Sequence, residues 1–141
     1  MFTRFKIGAL YMDIGKVSGV NFGRRYSSIL KTEYLRGNLP VSKGLYGGKL
    51  TPTTVSLEHI LPKSGTRING KFVKGHTNLS NLALATRRNN SIRGNKPLKD
   101  FLTRQQADEY LSQFKGVKTP NGFNGDKYIE RVSKTIDRLL K

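Results

Sequence analysis

A histidine directly after an isolated carboxylate is the feature of this sequence best suited to chemistry. Glu58 is the single acidic residue between Tyr34 and Lys99, and His59 follows it. A carboxylate within a phosphate-binding segment repels its ligand unless a cation lies between the two. An imidazole has an ordinary pKa of about 6.5, so His59 can be a neutral base at physiological pH. Charge alone leaves two interpretations open for Glu58: a cation ligand, or a strand-end residue paired with a lysine.

The segment around this pair is strongly basic. The chain of 141 residues contains 26 Lys and Arg against 9 Asp and Glu, which gives a formal charge of +17. Eleven of the basic residues lie between Tyr34 and Lys99. Such an excess destabilises a compact fold by self-repulsion unless a polyanion binds, and nucleic acid is the commonest such partner. We therefore expect a nucleic-acid-binding protein, with a solubility surface or an anionic membrane surface as the alternatives.

The composition excludes several kinds of site. The chain has no cysteine, which rules out disulfides, thiolate zinc sites, iron–sulfur clusters and cysteine nucleophiles, so a metal must be held by oxygen or imidazole. Hydrophobic residues make up 35% of the chain, enough for a folded core, and its length suits one domain. No apolar run is long enough to span a membrane, and the first residues lack a signal-peptide pattern. We expect a single soluble domain in the cytoplasm of a host cell.

Two short strands and a helix must position the Glu-His pair. Residues 54–60 are β-prone and alternate in polarity, and the apolar run 82–85 is short enough to be a second strand. Thr86 can cap a short helix that begins at Arg87 and ends by Gly94. Adjacent residues of a regular strand point to opposite faces. The first strand must therefore end or bulge at the histidine if both members of the pair serve one site.

The segments before and between these strands contain turn signals. A short strand or irregular arm is expected over residues 1–20, a helix from 21 to 37, and a loop or linker over 38–53, where two prolines and three glycines occur. Between the strands, residues 62–78 are polar. They include Asn69-Gly70, which is a strong tight-turn signal.

Two helices are predicted after Pro97. Thr103 and Gln106 have capping-box spacing for a helix that ends at Gly116. Asp126 is the predicted cap of the last helix. The aromatic residues at helical spacing in this part of the chain are better interpreted as core than as platforms for base stacking.

Three segments, taken together and in order, resemble the signature of HNH nucleases. They are Glu58-His59-Ile60-Leu61-Pro62, Asn78-Leu79-Ser80-Asn81-Leu82, and the run from Asn89 to Pro97. The first motif is similar to the Glu-His-Ile-Leu-Pro branch of that family, and the resemblance covers about residues 54–97. It implies an α+β fold: a single small domain with a ββα-metal core, a basic helix and loop region before it (1–53) and helices after it (98–141).

The resemblance also implies a role for each motif residue. His59 is the expected general base, and Glu58 and Asn90 are the expected ligands of one divalent cation, Mg²⁺ with Mn²⁺ as substitute. Asn81 is expected to tie the intervening loop by side-chain-to-backbone hydrogen bonds and so hold the histidine. Gly94 stands where some family members have a third histidine, so a three-histidine site is excluded, and there is no zinc knuckle.

Basic residues near the motifs are expected to bind phosphate. They are Lys63, Arg87, Arg88, Arg93 and Lys96. Three residues are secondary candidates. Asn89 competes with its neighbour as metal ligand, Asn95 either contacts metal or phosphate or shapes the helix exit, and His76 is either a site residue or a solvated loop residue.

The resulting hypothesis is a metal-dependent DNA endonuclease of homing, restriction or phage nicking type, acting on double-stranded DNA. The alternatives are an RNA-cleaving nuclease and a non-catalytic nucleic-acid-binding module. One Glu-His pair gives one active site per chain, so one strand is cut per docking event. We expect a monomer in free solution, with a dimer on DNA as the alternative.

Overall fold

The computed structural model describes residues 29–141, which form four helices and two small antiparallel sheets. The helices are α1 (Ile29–Leu35), α2 (Arg87–Arg93), α3 (Arg104–Ser112) and α4 (Gly125–Leu140). The strands are β1 (Val55–His59), β2 (Thr66–Ile68), β3 (Lys71–Val73) and β4 (Leu82–Thr86). The α+β class predicted from the sequence is confirmed. Within these residues no helix is both long and apolar enough to cross a membrane.

The central sheet consists of β1 and β4, at the two positions where strands are predicted. They pair antiparallel, with Val55 opposite Thr86 and His59 opposite Leu82. Ladder bonds flank the pair, from Ile60 N–H to the Asn81 carbonyl at 2.9 Å and from Arg87 N–H to the Thr54 carbonyl at 2.7 Å. In antiparallel pairs the bonded positions alternate, so the odd-numbered residues of β1 direct their backbone groups away from β4.

A two-stranded sheet is marginal alone, and the later helices cover its β4 edge. The Tyr110 hydroxyl of α3 accepts from Leu84 N–H at 2.8 Å, and the Tyr128 hydroxyl of α4 donates to the Leu82 carbonyl at 2.7 Å. The two hydroxyls lie 2.9 Å apart. Both tyrosines are buried in the core, which is the position predicted for the aromatic residues at helical spacing.

Of the two helix caps predicted after Pro97, one is present in the structure and one is not. Thr103 and Gln106 form the predicted capping box of α3. The cap of α4 is Asn124, whose side chain accepts from Lys127 N–H at 3.1 Å, so the prediction of Asp126 as cap is wrong. Asp126 lies within the first turn of α4, where its carboxylate accepts from Gly116 N–H at 3.0 Å.

The segment between β1 and β4 is more regular than a loop. The predicted tight turn is present, with Asn69 at φ 52° and Gly70 at φ 79°, and it joins β2 to β3 in a short hairpin. Two left-handed residues in succession give a turn whose twist matches that of antiparallel strands. The strands of this hairpin were not predicted, because residues 62–78 lack a clear apolar alternation.

The beginning of the chain is described only in part. Helix α1 covers the C-terminal part of the helix predicted over 21–37, and Gly37 follows it at φ 80°. The arm predicted over 1–20 and the start of that helix, 21–28, lie outside the described residues. Residues 38–53 form the predicted loop, with one isolated bridge between Lys43 and Lys49.

Candidate active site

His59 lies at the last position of β1 and is half-buried. Its Nε2 atom is 2.9 Å from the Thr77 hydroxyl, which fixes the orientation of the ring. Burial lowers the pKa of the imidazole below its ordinary value, and the positive charge of Lys63 lowers it further. The ring is therefore neutral at physiological pH. With a proton on Nε2 shared with Thr77, Nδ1 has the free electron pair of a base.

Asn81 ties together the two ends of the segment that carries the hairpin. Its Oδ1 accepts from Leu61 N–H at 2.7 Å, and its Nδ2 donates to the carbonyls of Leu61 at 3.0 Å and His76 at 2.9 Å. These are side-chain-to-backbone bonds of the kind expected for this asparagine. They hold the chain two residues after His59 and one residue before Thr77, so the imidazole and its partner keep a fixed separation.

Helix α2 covers the outer edge of β1 with two side chains one turn apart. Asn90 Nδ2 donates to the Leu57 carbonyl and to the Ser56 hydroxyl, both at 3.0 Å. Arg93 Nη1 donates to the His59 carbonyl at 3.2 Å. The outward-facing carbonyls of β1 are thus bonded to side chains of α2, which fixes the backbone on both sides of Glu58.

Glu58 points in the opposite direction to His59 and is buried, with 3% of its surface exposed. One oxygen of its carboxylate accepts from Arg93 Nη1 at 3.0 Å and from the Tyr46 hydroxyl. Burial raises the pKa of the carboxyl, and the hydrogen bonds from Tyr46 and the charge of Arg93 oppose that rise. The same arginine also donates to the Tyr46 hydroxyl at 3.1 Å, which closes a buried network of three side chains.

In this network Glu58 is bonded to an arginine, where the sequence predicts a bond to a metal ion. β1 stays in register through Glu58 and His59, which pair with Ala83 and Leu82, so the two side chains lie on opposite faces. The Arg93 guanidinium occupies the position beside the carboxylate that a cation would need. The Mg²⁺ site predicted at Glu58 and Asn90 therefore stays a prediction, with Glu58 bonded to Arg93 in this structure.

Arg93 also differs from its predicted role in phosphate binding. It is 1% exposed, and its Nε donates to the Lys96 carbonyl at 2.8 Å, so both Nε and Nη1 are bonded inside the protein. The other predicted phosphate contacts are on the surface. They are Lys63, Arg87, Arg88 and Lys96. Lys96 is the most restrained of them, because its ammonium donates to the Ile92 carbonyl at 2.6 Å and lies 5.7 Å from the centre of the Phe101 ring.

The three secondary candidates have separate positions. Asn89 is engaged in structure: its N–H donates to the capping Thr86 hydroxyl at 3.1 Å, and its amide donates to the Gly47 carbonyl at 3.3 Å. Asn95 is exposed just beyond Gly94, at the exit of α2. His76 is exposed, and it lines a cavity of about 320 Å³ under the Asn81 loop together with basic residues of α4.

Two residues of this site were not predicted from the sequence. Tyr46 belongs to a glycine-rich loop and Thr77 to a polar one, and neither has a periodic or motif signal. For Arg93 the sequence does contain a signal for the ion pair. Arg93 is three residues after Asn90 on a short helix, which places both on one face, and Glu58 is the only acid in this part of the sequence available to pair with it.

No family model, curated protein or solved structure matches the chain. A neutral imidazole with a fixed ring, at the end of a strand anchored on both edges, is a competent general base. The chain from His59 to Lys99 has no carboxylate, so this part of the chain is suited to an anionic partner.

Proposed function

We propose that this protein is an endonuclease that hydrolyses phosphodiester bonds in DNA, with His59 as general base. The observation that carries the proposal is the His59 imidazole, which is neutral, held by Thr77, and followed in the chain by a segment without acids up to Lys99. The arrangement of β1, β4 and α2 around it supports the HNH resemblance, because the two strands and the helix occur in the expected order.

The proposed step is the attack of water on the phosphorus atom. His59 Nδ1 accepts a proton from the water, whose oxygen forms the new bond to phosphorus while the bond to the 3′ oxygen breaks. The 3′ oxygen leaves with the electron pair of that bond and takes a proton from solvent water to become the 3′ hydroxyl. Negative charge grows on the phosphoryl oxygens in the transition state, and cationic side chains stabilise it. Lys63 is the best placed, since it is close enough to lower the pKa of the imidazole.

Glu58 is a positioning residue in this proposal. Its carboxylate holds Arg93, and Arg93 holds the His59 carbonyl at the end of β1. The requirement for Mg²⁺ or Mn²⁺ stays a prediction, since the carboxylate expected to bind the metal is engaged by the arginine. The Oδ1 atom of Asn90 has no donor within the described residues, which leaves that oxygen free to serve as a ligand.

The second candidate function is a nucleic-acid-binding module without turnover. One observation favours it: Arg93 forms a buried ion pair with Glu58, whose carboxylate is the one predicted to bind the metal. The remaining alternative is a nuclease that cleaves RNA. The charge distribution suits DNA and RNA equally.

Incubation of the protein with supercoiled plasmid, linear duplex and RNA, each with Mg²⁺, separates these functions. Cleavage of the two DNA substrates alone is the expected result. The His59→Ala variant should bind duplex as the wild type does and lose cleavage, while the matched His76→Ala variant retains it. Cleavage by His59→Ala at a tenth of the wild-type rate or more excludes this base. Binding without cleavage of any substrate identifies the module.

A further inference from the structure

The hairpin of β2 and β3 displays an aromatic ring that the core does not use. Phe72 is 54% exposed, and it is one of three large hydrophobic side chains in residues 29–141 that are exposed. The tip of its ring packs against Gly65, where an added Cβ would come within 2.2 Å of it. The ring is therefore held in place at one end while more than half of the residue faces solvent.

This hairpin is fixed to the strand that ends at His59. The N–H groups of Gly65 and Gly75 both donate to the Pro62 carbonyl at 2.9 Å, which closes the base of the hairpin three residues after the histidine. Gly75 must lack a side chain, because a Cβ there would meet the Leu61 carbonyl oxygen at 1.8 Å. A ligand on the hairpin is consequently held at a set distance from the imidazole.

The charge of the hairpin is entirely positive. Arg67 is directly opposite Phe72 in the antiparallel register, so their side chains share one face. Exposed lysines occur before, within and after the hairpin: Lys63, Lys71 and Lys74. Arg67 also lines a cavity of about 300 Å³ whose other charged lining residues are all basic: Arg93, Lys99, Arg138 and Lys141.

We propose that this hairpin is a nucleic-acid contact in which Phe72 stacks on a base of the substrate and Arg67 binds the neighbouring phosphate. An exposed aromatic ring beside an arginine is the combination that binds unpaired bases, since every base offers a flat face and every nucleotide a negative charge. The proposal depends on the proposed function only for its partner, nucleic acid, and requires no catalysis.

Binding measurements in EDTA test the hairpin independently of cleavage. The probes are a single strand, a perfect duplex, and a duplex in which one 2-aminopurine base is unpaired. Phe72→Ala should weaken binding of the single strand and of the unpaired duplex by about tenfold, the loss typical of one stacked base, and bind the perfect duplex nearly as the wild type does. The wild type should change the 2-aminopurine fluorescence, and Phe72→Ala should not.

Three further variants make the outcome decisive. Phe72→Trp should bind the unpaired probes as well as the wild type or better, and Phe72→Leu, which keeps apolar packing on Gly65, should bind them as weakly as Phe72→Ala. Leu35→Ala, the control at another exposed apolar residue, should bind like the wild type. Wild-type affinity in both Phe72→Ala and Phe72→Leu overturns the proposal and makes a protein partner the better explanation for the exposed ring.

Replacement of Arg67 should change the salt dependence of binding. Arg67→Gln should weaken binding of all three probes and lower the slope of log affinity against log salt by about one, the change expected for one lost phosphate contact. The loss in Phe72→Ala should be independent of salt. An unchanged salt slope in Arg67→Gln contradicts the phosphate contact. If the protein binds these probes but cleaves no substrate, the hairpin proposal stands and the nuclease proposal fails.

Discussion

Arg93 and Glu58 form an ion pair of 3.0 Å in the interior of the protein, with 1% and 4% of their side chains exposed. The arginine reaches the carboxylate from α2 and at the same time binds the carbonyl of His59. The acidic residue of the Glu-His motif thus acts on the histidine through the backbone, on the side of β1 away from the imidazole. In the proposed function this relationship makes Glu58 a positioning residue.

Removal of either partner of this pair should destabilise the protein. Glu58→Ala or Arg93→Ala leaves an uncompensated buried charge, which typically costs about 3–5 kcal/mol in the free energy of unfolding. Urea denaturation of both variants and of a Glu58→Leu/Arg93→Leu double variant measures this, and the double variant should lose less than the sum of the single changes. Wild-type stability in Glu58→Ala, together with a higher Mg²⁺ requirement, would instead identify a ligand.

The cleavage rate should depend on the protonation of His59. Burial and Lys63 lower the pKa of the imidazole, so the neutral, active form predominates above a midpoint lower than the ordinary value of about 6.5. The single-turnover rate should rise with pH through that midpoint and then level off. Lys63→Met removes the neighbouring charge and should move the midpoint to higher pH. A rate that falls as pH rises across this range contradicts a neutral base.

Cleavage should depend on a divalent metal ion that Asn90 helps to bind, since the carboxylate of Glu58 is engaged by Arg93. We expect EDTA to stop cleavage and Mg²⁺ or Mn²⁺ to restore it, because hard ions prefer oxygen ligands. Asn90→Ala should raise the metal concentration needed for half-maximal rate, while Asn95→Ala, the exposed control, leaves it unchanged. Full activity in EDTA would remove the metal from the mechanism.

A single active site per chain should cut one strand at a time. The chain contains one Glu-His pair, and repulsion between two protomers of charge +17 opposes association without DNA. The first product from supercoiled plasmid should be the open circle, with linear DNA appearing later, and light scattering should give a monomer mass. Immediate linear product from a protein with a dimer mass would favour a two-fold dimer.

The local structure of the site could be predicted from the sequence. Both strands of the central sheet, the Thr86 cap of α2 and the Asn69-Gly70 turn follow from signals within a few residues of each other, because backbone preferences, capping and alternation are local properties. Even the bonding of Asn81 to a loop backbone was expected from its motif.

Only the tertiary structure decided which charged and aromatic groups are buried. Glu58 and Arg93 are 35 residues apart in the chain, and Tyr46 joins them from a loop without any pattern. An arginine on a basic helix and a phenylalanine in a short strand look alike in sequence whether they face solvent or core, yet Arg93 is buried and Phe72 is exposed. Burial depends on which elements pack on each side, and that packing sums many weak contacts between residues distant in the chain.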